Sequence, residues 1–307
     1  SEGVRIVLGA EYRKEKLDFQ SDISFQTGDL AGQGAPTLPV SGSFDVKEFF
    51  TEVRLPIVQD SWLSEFSVTG GYRYSDYSTG ASTDTYKIEG ELAPIPDIRF
   101  RGGYNRAVRA PTVQDLFAPQ RVALDGSTDP CSGAPIAAGD IGCLASGLEV
   151  GDVVAPNPAS QYNGLIGGNP DLVPEIADTY TVGVVVEPTF LPGFSASVDY
   201  FNIKVEDAIT TPTVDDLVGG CYNNPSATNP FCSLIVRGAA TGGLDGSPNE
   251  VPGLLLSLSN LGTIKTDGID VSLRYRTSLT DNIGFRFSTD GTWTNRNEFQ
   301  ATPTSVN

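Results

Sequence analysis

The sequence alternates apolar and polar residues with a period of two in about nine stretches. Clear examples are residues 4–12, 66–74 and 269–275, where aliphatic and aromatic side chains take one set of positions and Arg, Asp, Glu, Ser and Gly take the other. Successive side chains of a β-strand point to opposite faces, so each run predicts a strand with one apolar and one polar face. The chain is therefore predicted to be all-β, and its apolar faces must contact either a protein core or lipid.

The composition excludes several classes of function. The chain of 307 residues carries 38 acidic against 20 basic residues, a net charge of −18. Nucleic acid is not an expected partner, because phosphate binding requires positive charge. The chain contains no His, so Ser-His and Cys-His nucleophilic pairs and imidazole metal sites cannot form. We expect no enzyme, no metal and no cofactor, although a hydrolase with a carboxylate pair remains open on composition alone.

The hydropathy pattern restricts how this chain can meet a membrane. No apolar run approaches the roughly 18 residues of a membrane-spanning helix. A membrane strand needs only about 9–11 alternating residues, which leaves insertion as a β-barrel open. The chain begins at Ser1 without a targeting segment, and we expect a mature product or an excised piece of a longer protein.

Four cysteines form two close pairs, Cys131 with Cys143 and Cys221 with Cys232, each in a loop rich in Pro, Gly, Asn and Ala. Neither spacing is CxxC, which disfavours zinc and thioredoxin-like sites. The even number and the local pairing predict two disulfides in an oxidising compartment, each an independent staple of its own loop. Free structural thiols are the alternative.

The lengths of the connections favour lipid over a protein core. The predicted strands cover residues 4–16, 46–57, 65–78, 84–93, 98–110, 177–187 and 194–207, a strand that ends at Arg276, and residues 284–296. Short and long connections alternate between them, and the two longest, of about 65 and about 50 residues, hold the cysteine pairs. Membrane barrels have this pattern, because their periplasmic turns are short and their extracellular loops long.

Counting along each strand predicts which side chains face lipid and which face the lumen. The lipid-facing set is Val4, Ile6, Leu8, Val68, Tyr72, Ile88, Phe100, Val182, Val184, Val198, Val271, Leu273 and Phe287. The lumen-facing set includes Arg5, Glu52, Arg73, Glu89, Arg101, Asp199, Asp270 and Arg286. Aromatic residues recur near the strand ends on the apolar side, as in Phe66 with Tyr74 and Phe100 with Tyr104, which predicts the two aromatic girdles of a membrane barrel.

Several segments carry a resemblance to a known family. They read Arg109-Ala-Pro-Thr112 followed by Leu116-Phe117, Gly168-Asn-Pro-Asp-Leu-Val-Pro-Glu175, Val198-Asp-Tyr-Phe-Asn-Ile-Lys204 and Asn260-Leu-Gly-Thr-Ile264. In order and spacing they resemble the barrel of the TonB-dependent outer-membrane receptors, over essentially the whole chain. The segments 28–34 and 39–46 resemble the long-loop branch that is common in alphaproteobacteria.

The resemblance implies an antiparallel transmembrane β-barrel of about 22 strands around a plug domain, in the outer membrane of a Gram-negative bacterium. Residues 1–307 would be an internal part of this barrel, since neither a plug domain nor a closing strand with a terminal aromatic is found in them. The implied function is uptake of a scarce nutrient, with lipid, the TonB system (through the plug) and an extracellular ligand as partners. A passive porin-like channel and a secreted or surface-layer structural β-protein are the alternatives.

Candidate ligand-binding residues lie at the outer end of the fifth strand and in the long loops: Arg106, Arg109, Tyr162, Asn163, Tyr222, Asn223 and Asn224. The loops combine neutral polar groups with aromatic surfaces and carry few positive charges. This composition suits a neutral oligosaccharide better than an anionic ferric siderophore, which favours clusters of Arg and Lys. We also expect Glu175 to accept hydrogen bonds from nearby backbone amides or from Arg109.

Overall fold

A computed structural model of the protein describes residues 3–32, 36–126, 128–226, 229–244, 253–280 and 282–300. Asp281, in the last predicted turn, and the terminal residues 301–307 lie outside the described residues. Along the chain the elements are β1 (Arg5–Phe19), α1 (Ile23–Thr27), β2 (Val40–Gln59), β3 (Glu65–Tyr77), β4 (Ser82–Ile95), β5 (Ile98–Arg109), α2 (Val113–Phe117), β6 (Arg121–Gly126), α3 (Ile141–Ala145), β7 (Gln161–Ile166), β8 (Glu175–Val186), β9 (Phe194–Thr210), α4 (Val214–Asn223), α5 (Pro230–Ser233), β10 (Leu254–Leu255), β11 (Ser259–Thr280) and β12 (Ile283–Gln300).

One antiparallel sheet contains all nine strands that the alternation predicts, in the order β1-β2-β3-β4-β5-β8-β9-β11-β12. Each of these strands therefore pairs with the next predicted strand along the chain, which confirms the antiparallel arrangement. In the described residues the sheet is open, with β1 and β12 at its edges. None of the helices in these ranges is long and apolar enough to cross a membrane.

The strand register separates the apolar and polar side chains onto opposite faces of this sheet. One cross-strand row reads Phe100, Val184, Val198 and Val271. The adjoining row, on the other face, reads Arg101, Gly183, Asp199 and Asp270. All the strand residues of the predicted lipid-facing set lie on the first face, called the apolar face below, and the predicted lumen-facing set lies on the second, the polar face. Val4 precedes β1.

The apolar face carries a band without charged residues. Large apolar side chains in the band stay exposed, for example Leu8 at 68% and Val182 at 59%. Tyrosines border the band towards the long loops, and their rings pack together, with centroids 5.9 Å apart for Tyr86 and Tyr104 and 4.8 Å apart for Tyr104 and Tyr180. An exposed apolar band of this size, bordered by aromatic residues, is what a lipid-facing barrel surface requires.

Outside this sheet the structure is richer than the alternation predicts. The predicted loop after β1 is shorter than expected, because β2 begins at Val40 and continues to pair with the end of β1, where Phe19 lies opposite Val40. The two longest connections contain a second sheet of order β10-β7-β6 and the helices α2 to α5. These elements are short, so neither periodicity extends far enough in the sequence to reveal them.

Replacement of Val184 by Arg tests the assignment of the faces. In the full-length barrel the substitution should destabilise folding into a bilayer by about 2–4 kcal/mol, because it exposes a charge to hydrocarbon. The matched control is Val185→Arg, one residue along the same strand and on the polar face beside Arg99. Denaturant titration in lipid vesicles measures both variants. Equal costs for the two substitutions would contradict the assignment.

Candidate ligand-binding cleft and loop cap

The two longest connections fold together into one unit, which we call the loop cap: the described residues of 110–174 and 211–258. Its second sheet joins both connections, because β10 of the second runs parallel to β7 of the first, with Leu254 opposite Gly164. Its largest hydrophobic cluster also draws on both: Tyr162, Val214, Leu217, Val218, Cys221, Phe231, Cys232, Ile235, Leu244, Leu254 and Leu256. Burial of these side chains drives the two loops together.

Both predicted disulfides are present, Cys131–Cys143 with a Cα separation of 5.7 Å and Cys221–Cys232 with one of 4.8 Å. Each disulfide closes its own loop, as predicted. The contact between the two loops was not predicted. Tyr222, from the second loop, packs on the first loop and contacts the sulfur of Cys131. Its ring approaches so closely that a Cβ atom at Gly142 would lie 2.7 Å from it, which explains the glycine there.

A buried ion pair joins the same two loops. Arg237 and Asp129 are 5% and 1% exposed, and Nη1 of the guanidinium lies 2.7 Å from the carboxylate. Arg237 also donates to the hydroxyl of Ser146 at 2.8 Å and to the carbonyl of Gly242 at 2.8 Å. A buried charge requires such complete pairing, since an unpaired one costs far more than the pair contributes. The sequence gives only a faint signal for this pair: Arg237 is one of the few basic residues in these loops.

Burial raises the pKa of the Tyr222 phenol, and the nearby Asp129 carboxylate raises it further, against the opposing effect of Arg237. The phenol therefore stays neutral at physiological pH. A neutral phenol can donate a hydrogen bond and also accept one from Arg237, whose Nη2 lies 3.3 Å away. The side chain thus belongs to the contact between the two loops.

The predicted ligand-binding residues of the loops do not form one site. Tyr162 is only 3% exposed, so its ring is not available to stack on a ligand, which corrects the role predicted for it. Asn163 lies in β7 opposite Leu124 of β6. Asn223 and Asn224 are exposed at the end of α4, where the Asn224 carbonyl accepts a hydrogen bond from Asn229. A ligand-binding role for these asparagines stays a prediction.

A cleft of about 620 Å³ lies on the polar face at the long-loop end of β1 to β5, with α2 at its side. Its polar lining comes mainly from Arg13, Glu15, Glu48, Arg73, Ser75, Asn105 and Arg109. Alternation along the strands points all of these side chains to the same face. Clefts of about 300–1,000 Å³ accommodate small-molecule ligands.

The arginines of the cleft are held by carboxylates. Arg73 lies 3.0 Å from Glu48, and its guanidinium stacks over Phe50 at 4.7 Å from the ring centroid. Arg13 lies 2.9 Å from Glu15. Such pairs fix the orientation of the guanidinium groups and leave part of each exposed to the cleft.

Arg109 connects β5 to its neighbours in the sheet. Its Nε and Nη2 each donate to Glu175 at 2.7 Å, and Oε1 of Glu175 also accepts the backbone N–H of Ile209 at 2.7 Å. Both partners predicted for Glu175, a backbone amide and Arg109, are therefore confirmed. The pair binds β5 to β8 and β8 to β9 at the rim of the cleft. The two segments that carry the family resemblance, 109–112 and 168–175, therefore meet here.

Arg106 differs from Arg109 because its side chain lies on the apolar face. It lies opposite Asp178 and donates to that carboxylate at 2.9 and 2.8 Å, and its guanidinium lies 5.6 Å from the ring centroid of Tyr86. This placement is at the border between the apolar band and the charged rim. Arg106 is among the residues that border the cleft, but its guanidinium group is paired with Asp178 on the opposite face of the sheet. A ligand contact by this side chain stays a prediction.

Metal binding has no candidate within the described ranges, since no group of three or more His, Cys, Asp or Glu side chains lies close enough to hold an ion.

The residues that the sequence prediction missed are Arg13, Asp115 and the pair Asp129 and Arg237. Arg13 shares the alternation of β1 with Arg5, so the count along the strand could have placed it on the polar face. The others depend on contacts between distant segments.

Comparison with known proteins gives one family and several related folds. The family described as "TonB dependent receptor-like, beta-barrel" matches residues 3–306. A ferric enterobactin receptor (PfeA) from Pseudomonas aeruginosa, solved in complex with enterobactin, is 16% identical, with a TM-score of 0.59 over 95% of this chain and 33% of its own. The siderophore receptor PirA from Acinetobacter baumannii is 17% identical, with a TM-score of 0.56 over 95% and 34%.

The FrpB iron transporter from Neisseria meningitidis is 14% identical, with a TM-score of 0.51 over 100% of this chain and 35% of its own. At these identities the likeness shows the fold alone. The chain spans about a third of the length of these solved proteins. No curated protein matches it in sequence.

Replacement of Arg237 by Leu tests whether the buried pair holds the loop cap together. The variant leaves the Asp129 carboxylate buried without its partner, and should destabilise the loop cap by about 3–5 kcal/mol. Hydrogen exchange of the β7 amides in the full-length protein measures the loss. The double variant with Asp129→Leu and Arg237→Leu removes both charges and should recover most of it. Unchanged exchange in the single variant would contradict the role of the pair.

Proposed function

We infer that this chain, which belongs to the family of TonB-dependent receptor β-barrels, forms part of the wall and of the ligand-binding mouth of an outer-membrane receptor that imports a scarce nutrient with energy from TonB. The observation that carries this inference is the cleft on the polar face, at the end of the sheet where the loop cap folds. A receptor needs a shaped binding site at its extracellular mouth, and this cleft has the place and size of one.

The remaining parts of the proposed receptor lie beyond this chain. We propose that the polar face lines a lumen occupied by a plug domain, that the plug contacts TonB, and that the apolar band contacts outer-membrane lipid. The described residues contribute nine strands of a sheet that is open at β1 and β12, and a barrel of this family needs about 22. Residues 1–307 are accordingly proposed as an internal part of the barrel domain.

A passive porin-like channel is less well supported. Such a channel needs an open lumen, whereas α2 packs on the polar face of β2 through Val113 and Leu116, which are 7% and 2% exposed. The secreted structural protein is also less well supported, because the exposed apolar band would then face water.

We propose a ferric siderophore, or a similar compact anionic chelate, as the ligand. Arg13, Arg73 and Arg109 line the cleft, and guanidinium groups suit anionic oxygen ligands. The preference for an oligosaccharide rested on aromatic surfaces in the loops, but Tyr162 is buried and Tyr222 packs on a disulfide. PfeA and PirA, which share the fold, are named as receptors for ferric enterobactin and for siderophores.

Uptake by whole cells tests this function. A panel of ferric siderophores, which includes ferric enterobactin and a hydroxamate chelate, is offered under iron limitation to cells that depend on the full-length receptor. These cells should accumulate radioactive iron from at least one member of the panel. Deletion of the gene and inactivation of TonB should each abolish this uptake, and the restored gene should return it. Iron uptake that survives the inactivation of TonB would indicate a passive channel. A gene deletion that abolishes oligosaccharide uptake and leaves iron uptake unchanged would indicate a sugar receptor.

A further inference from the structure

Arg109 presents one end of its guanidinium group to the cleft. The Nε and Nη2 atoms are engaged by Glu175, both at 2.7 Å. Towards Nη1 the nearest carboxylate, within the described part of the chain, is that of Asp115, at 3.6 Å, which is longer than a hydrogen bond. The Arg109 side chain is 50% exposed, and the residue lines the cleft. Because Glu175 holds the other side, Nη1 has a fixed direction.

Asp115 links this guanidinium to the helix α2. Its carboxylate accepts the backbone N–H of Thr112 at 2.9 Å, while the Thr112 hydroxyl accepts the backbone N–H of Asp115 at 3.1 Å, which together form a capping box at the start of α2. The helix is held against the sheet by a hydrophobic cluster of Phe44, Val46, Tyr77, Val113, Leu116 and Leu172. Asp115 is therefore shared between the helix and the cleft.

We propose that Nη1 of Arg109 binds an anionic oxygen of the ligand, and that this oxygen replaces Asp115 as the partner of Nη1. Asp115 acts as a positioning residue: in the empty cleft it draws α2 towards Arg109, and ligand binding releases that attraction. Occupancy of the cleft is thereby transmitted to α2, which begins the first loop of the loop cap. The ligand class rests on the proposed function, whereas the exchange at Arg109 requires only an anion.

The weaker of the two carboxylate contacts is the one that exchanges. Glu175 holds Arg109 by two short, parallel hydrogen bonds, the strongest geometry available to a guanidinium group. The contact with Asp115 is longer and partly exposed to water, and pairs of this kind contribute little. Removal of the Asp115 charge should therefore strengthen anion binding by a modest factor of about two to five.

A spin label on α2 reports this exchange directly. All four cysteines of this chain are in disulfides. Once any free cysteine elsewhere in the full-length receptor is replaced by Ser, Gln114→Cys on the exposed side of α2 supplies the single reactive thiol. In the full-length receptor, addition of inorganic phosphate should increase the mobility of the label. The ionic strength is kept constant by replacing chloride with phosphate. The increase should be absent in Arg109→Gln and retained in Arg274→Gln, a polar-face arginine that does not line the cleft.

The Asp115 variants separate positioning from simple structural support. Asp115→Asn should make the label mobile without phosphate and should bind phosphate about two to five times more tightly, and Asp115→Glu should restore the response of the label. The matched control is Asp216→Asn, which removes the corresponding carboxylate from the capping box of α4, a helix that does not line the cleft, and should leave label mobility and phosphate affinity unchanged. A response retained in Arg109→Gln, or phosphate affinity unchanged or lower in Asp115→Asn, would overturn the proposal. Failure of ferric-siderophore uptake would remove the proposed ligand class and leave this exchange standing.

Discussion

The antiparallel ladder of backbone hydrogen bonds is the constraint on which the rest of this molecule depends. In a sheet with one face towards hydrocarbon, each backbone N–H and C=O group must find its partner in a neighbouring strand, because lipid offers none. The ladder also fixes the register, and the register decides the face of every side chain. A shift of one residue between β5 and β8 would bring Arg101 beside Val184 instead of Gly183 and would carry the charged row onto the apolar face.

The same register gives the cleft its chemistry. It aligns polar side chains of five successive strands on one face, so that carboxylates and guanidinium groups from different strands pair there, as Arg73 does with Glu48 and Arg109 with Glu175. Near the long loops, the otherwise polar face carries the apolar side chains Phe44 and Val46, and α2 packs against them. The cleft is thus positioned by the sheet, while the loop cap contributes one wall through α2.

Much of the sheet could be predicted from the sequence, because it depends on local alternation. The nine strands, their antiparallel order and the two faces all follow from a period of two. The same alternation also places Arg106 on the apolar face, since Arg101 is assigned to the polar face and an even-numbered residue of the same strand must point the other way. The loop cap could not be predicted in this way. Its ion pair joins Arg237 to Asp129 across 108 positions, and its strand β10 has only two residues.

Tyr162 and Asp115 show why the candidate site was only partly predicted. An aromatic residue in a polar loop suggests an exposed binding surface, but the two loops share a hydrophobic cluster that buries Tyr162. Asp115 carries no signal beyond its place at a helix start, and its second contact, with Arg109, appears only when α2 folds back onto the sheet. Local periodicity therefore cannot predict residues whose roles depend on contacts between distant segments.

The central claim, that one face of the sheet meets lipid and the other an aqueous lumen, is tested most directly by spin labels placed one at a time along β8. In the full-length protein in lipid vesicles, accessibility to dissolved oxygen should alternate with a period of two, with maxima at Tyr180, Val182 and Val184 and minima at Thr179, Thr181 and Val185. Uniform accessibility along the strand, or maxima at the second set of positions, would contradict the account.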